Sequence, residues 1–120
     1  MDELIARLVA DVGIDRATAE KAVGIILEFL VKEGPADKVQ PLLAKLPGAE
    51  AVMQGAASES ESGGMMGGVM GAGMRMMSAG LSMGQAQSVT RAVIAYTREQ
   101  AGEDAVGEIV AAIPGLAQFV

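Results

Sequence analysis

Apolar residues recur along this 120-residue chain at spacings of three and four, the signature of helices with one buried face. Over 2–12, Leu4, Ile5, Leu8, Val9 and Val12 fall on one side, while Asp2, Glu3, Arg7 and Asp11 fall elsewhere. Gly13 ends this helix, because glycine accepts the left-handed backbone that a helix C-terminus favours. Asp15 is placed to cap a longer helix to about Glu33, with Ala19, Ala22, Val23, Ile26, Phe29 and Leu30 inward. Gly34-Pro35 stops it, glycine for the cap geometry and proline because it cannot continue a helix. Asp37 opens a third helix burying Val39, Leu42, Leu43 and Leu46. Pro41 in its first turn removes an amide donor and predicts a frayed or later start. Pro47-Gly48 then breaks the helix, and a short turn over 49–54 follows.

The second half repeats these signals with different residues. Ser82 and Gln85 have capping-box spacing, and the helix they open turns Ala86, Val89, Val93, Ile94 and Tyr96 inward. Gly102 punctuates, and Asp104 caps a helix with Val106, Ile109, Val110 and Ile113 inward, ended by Pro114-Gly115. Residues 13–53 and 80–120 align without a gap at an offset of 67, with seven of 41 positions identical. The identities are Gly13/Gly80, Ala19/Ala86, Asp37/Asp104, Val39/Val106, Ala44/Ala111, Pro47/Pro114 and Gly48/Gly115. Apolar positions and breakers also match in phase, which predicts two copies of one helical unit. The expected fold is all-α: two pseudo-repeated units of about four helices each, packed as a small helical bundle. The units are 1–53 and 65–120, and 54–64 (QGAASESESGG) has the small, polar character of a flexible linker.

Composition narrows the chemistry. A chain of this size supplies one modest core, and with only Phe29, Tyr96 and Phe119 aromatic, that core rests on Ala, Val, Ile, Leu and Met. The net charge of −6 and the scattered basic residues oppose a phosphate backbone, so no nucleic-acid partner is expected. The chain has no cysteine, which removes disulfides and thiolate metal sites, and no histidine, the commonest general base and transition-metal ligand. Asp2 and Glu3 stand where an export signal would be basic, so a cytoplasmic protein is expected. The carboxylates are dispersed, with no acid pair in an apolar run, and Ser58, Ser60 and Ser62 lack a base. No enzyme and no cofactor are expected. Glu28 is the one acid within the apolar run 25–31, and it is expected to mark the solvent edge of its helix.

Seven of the nine methionines lie between 65 and 83, in a segment also rich in glycine. Met66, Met70, Met74 and Met77 fall at helical spacing, although each glycine inside a helix costs roughly 1 kcal/mol relative to Ala. This is expected to be the least stable helix. Its methionines read first as a core-facing stripe of flexible side chains, next as an adaptable partner surface. A Cu(I) thioether site on Met70, Met74 and Met77 ranks last, without His or Cys nearby. The uncharged stretch 62–74 is too short to span a membrane, and Arg75 is a single cation, so membrane attachment is not expected. In the first long helix Ile25, Leu27 and Val31 widen the apolar face beyond one stripe, whereas Ala92 and Arg98 stand opposite in the second copy. Either that helix is central in the fold or this face meets a second chain.

The string Leu81-Ser82-Met83-Gly84-Gln85-Ala86, followed by a helix, Asp104-x-Val106 and Ile113-Pro114-Gly115-Leu116, resembles the small bacterial helical domains of unknown function called VcgC/VcgE-like. The resemblance covers 80–120 and more loosely 1–53, where Thr18-Ala19 replaces the Gln-Ala step. It implies an all-helical domain with no activity and carries over no functional residues. The leading functional expectation is a non-catalytic helical interaction or self-association module. Its partner is another protein or a second copy, as in a homodimer, met through Ile25, Leu27 and Val31 and the methionine face of Met66, Met70, Met74 and Met77. The alternative is a small apolar-ligand or lipid-binding protein using a groove lined by Met70, Met74 and Met77.

Overall fold

Local capping chemistry divides the chain into helices at the places where the backbone must reverse. The computed structural model describes residues 2–46, 48, 49, 51, 52, 68–113 and 116; among these the regular elements are helices, and no strand occurs. The helices are α1 (Asp2–Val12), α2 (Arg16–Glu33), α3 (Ala36–Ala44), α4 (Gly68–Ser78), α5 (Met83–Ala101) and α6 (Glu103–Ala112). Asp15 caps α2 by accepting the Thr18 N–H at 3.3 Å. Ser82 caps α5 in a full capping box: its Oγ accepts the Gln85 N–H at 3.2 Å, and its own N–H donates to Gln85 Oε1 at 2.9 Å. Gly13 (φ +83°) and Gly80 (φ +107°) make the turns before these caps in a conformation that L side chains rarely adopt. The expected linker 54–64 lies outside the described residues, as do 65–67 of the expected methionine helix.

Three local expectations change. α3 starts at Ala36, before Asp37, and runs through Pro41, its sixth residue, because proline removes only one bond from a helix held by packing. Asp37 and Asp104 are not N-caps: the flanking residues are Pro35 and Gly102, and both acids are the second residue of their helix. Their carboxylates there complement the positive end of the helix dipole. Gly34 is extended at φ −87°, so its role is steric. A Cβ would lie 2.6 Å from the Leu30 carbonyl oxygen and 2.9 Å from Val39 Cγ2.

α2 and α5 form the centre. α2 packs against α1, α3, α4 and α5, and α5 against α1, α2, α4 and α6, while α3 also meets α6. One hydrophobic cluster takes residues from all six helices, among them Leu8, Leu27, Val39, Met76, Val93 and Ile109. With four neighbours, α2 must bury more than one stripe, which accounts for its broad apolar face. Ile25 and Leu27 are therefore core residues and Val31 packs partly buried against them, so the partner-face reading of these three is corrected. Val9, expected inward, is exposed on α1. In α5 the core also admits Thr90 and Thr97, whose hydroxyls donate back to the Ala86 and Ile94 carbonyls at 2.9 and 2.7 Å.

Candidate interaction surface

α4 carries a methionine or arginine at four successive positions, 74–77, so its rotation about its own axis decides which sulfurs meet the core. Each residue turns a helix by about 100°, which places 74 and 77 as neighbours on one face and 76 away from both. The structure turns Met76 inward at 3% exposure and leaves Met74 at 49% and Met77 at 43%. Ala79, half-buried just past the end of α4 and one turn beyond Met76, packs against the core on the same side. Of the expected methionine face, Met74 and Met77 thus lie together on the outside and line no internal groove. Met66 is outside the described residues. The backbone of Met70 lies in α4, but its side chain is not among those described. Met83, at the first turn of α5, is 63% exposed, a third exposed methionine that periodicity did not select.

A charge network holds α4 in this rotation. Arg75 Nη2 donates to Glu28 Oε2 at 3.1 Å, and Lys32 Nζ meets Glu28 Oε1 at 2.9 Å. The Arg75 and Glu28 side chains are only 15% and 12% exposed, so Glu28 is an acid between packed helices and not a solvent-edge residue. Burial pushes its pKa up, but hydrogen bonds from Lys32 and Arg75 outweigh burial and hold it below the ordinary glutamate value. The pairing had a signal in the sequence: each apolar segment, 25–31 and 65–79, carries one charge, and the two are opposite in sign.

Arg75, paired with Glu28, is the single charged residue from 62 to 90, so α4 and the start of α5 carry no other charge of their own. The acids lie on the other helices. Exposed thioethers in such a setting offer polarisable, adaptable contact area and little acid–base chemistry. Among the described residues no group of three or more Asp or Glu is placed to hold a metal ion, and no helix is long and apolar enough to cross a membrane. No family model, no curated protein and no solved structure matches this chain.

Proposed function

We propose that the protein is a non-catalytic interaction module of the cytoplasm whose contact surface is the outer face of α4 with the start of α5, and whose first partner is a second copy. The observation that carries this reading is the exposure of Met74, Met77 and Met83 on segments whose one charged residue, Arg75, is paired with Glu28. Elsewhere a chain of net charge −6 repels its own copies, whereas these methionines bring apolar sulfur to apolar sulfur. Light scattering of the full chain at low and high concentration tests it. Mass should rise with concentration, and the double variant Met74→Glu/Met77→Glu should stay helical and monomeric. A constant monomer mass for the unmodified chain would overturn self-association, and lipid retained in native mass spectrometry would replace it with the carrier reading.

The same proposal includes a duplicated architecture, α1–α3 followed by α4–α6, of the kind the VcgC/VcgE-like resemblance implies. Its support is that exchanging the two sets returns the same neighbours. The pair α1 and α2 becomes α4 and α5, α1 and α5 becomes α4 and α2, and α2 and α3 becomes α5 and α6; each of these is in contact. The α2–α5 and α3–α6 contacts map onto themselves. Buried positions also correspond at the offset of 67, as in Ile14/Leu81, Ala22/Val89, Phe29/Tyr96, Leu42/Ile109 and Leu46/Ile113. Each flanking helix sends one arginine to the other set's long helix, Arg7 to Glu99 at 3.5 Å and Arg75 to Glu28.

A further inference from the structure

Oxidation chemistry separates the described methionines more sharply than packing alone does. Met74, Met77 and Met83 have their side chains in solvent, while Met76, between two of them in sequence, is closed into the core. The chain has no cysteine, histidine or tryptophan, and Tyr96 is buried at 4% exposure. The groups that oxidants attack first in most proteins are therefore missing, and exposed thioethers take their place. Arg75, the one charged residue from 62 to 90, is held by Glu28.

We propose that Met74, Met77 and Met83 form an oxidation-sensitive modification site, read by two-electron oxidants of the hydroperoxide class, that switches the contact surface from apolar to polar. The switching half rests on the reading of α4 as a contact surface; the site itself does not. In the reaction a thioether sulfur lone pair attacks one oxygen of hydrogen peroxide and the O–O bond breaks. The sulfur keeps that oxygen as a sulfoxide, losing two electrons, and the departing hydroxide takes the remaining proton to leave as water. The product is a strong hydrogen-bond acceptor on a side chain that was apolar, and a sulfoxide reductase can reverse it. Met76 is spared because peroxide cannot reach its sulfur without opening the α4 seam, which the Arg75–Glu28 pair and the core hold closed.

The test treats the full, folded chain with hydrogen peroxide at neutral pH and follows oxygen uptake at each methionine by peptide mass spectrometry. Met74, Met77 and Met83 should gain oxygen at least about tenfold faster than Met76, with the helical circular dichroism signal unchanged. In urea the difference should vanish. Equal rates at Met76 and its neighbours in the folded chain would overturn the site. Light scattering on the same samples reads the switch. Loss of concentration-dependent mass on oxidation supports it, provided that the triple variant Met74→Leu/Met77→Leu/Met83→Leu still associates and no longer responds to peroxide. Unchanged association after full oxidation overturns the switch while leaving the contact surface intact. A chain that never associates overturns the contact reading and the switch with it, and the site-selective uptake then stands or falls by itself.

Discussion

At the scale of single residues, two positions show how packing gives a residue a role that its type does not announce. Glu28 is ionised between α2 and α4, and its folded-state pKa lies below the ordinary value of 4.5 because Lys32 and Arg75 prefer the charged form. The unfolded chain therefore binds the proton more tightly, and the stability from this group is complete above about pH 4.5 and lost as pH falls through the folded value. Urea unfolding across the acid range should show this loss, and Glu28→Gln should flatten it while costing about 1–3 kcal/mol at neutral pH. Gly34 is the second case. Its φ is ordinary, so alanine is allowed by the backbone and excluded by the Leu30 carbonyl and Val39. Gly34→Ala should destabilise by about 1–3 kcal/mol, read as a lower urea midpoint with an unchanged slope.

At the scale of elements, α4 is held less by its own sequence than by its neighbours. Glycine at 68, 71 and 73 weakens it, and it keeps its place through Met76 and the Arg75–Glu28 pair. A Cβ at Gly73 would meet nothing within 4 Å, and the position is helical, so Gly73→Ala should stabilise by about 1 kcal/mol. A rise in the thermal midpoint, with slower amide exchange confined to α4, is the expected result. No change in exchange would mean that glycine is not what weakens the helix. The ends of α2 and α5 were legible in the sequence because Asp15, Ser82 and Gln85 act within one turn of the backbone they cap. The rotation of α4 was not legible, since methionines at 74, 76 and 77 satisfy more than one phase equally.

At the scale of the whole molecule, a single core drawn from both halves means that a charge placed in α2 is felt everywhere. Ile25 is 5% exposed, so Ile25→Glu buries an unpaired carboxylate and should abolish the fold, with no folded monomer obtained. Far-UV circular dichroism at low temperature checks this; a helical, soluble variant would return Ile25 to the surface. The all-helical class and most inward positions were legible from periodicity, Leu4, Ile26, Val93 and Ile109 among them. The two buried threonines were not, because a hydroxyl reads as polar until its bond back to the helix is seen.

The chain by itself determined where most helices begin and end and which face of most of them is apolar, because caps, glycine turns and helical periodicity act over a few neighbouring residues. Tertiary structure alone decided that α2 is central and that Met76 and not Met74 or Met77 enters the core, and it brought Glu28 to Arg75, 47 residues away. Those outcomes depend on competition among faces distant in sequence for one buried volume, and no local pattern records which face wins.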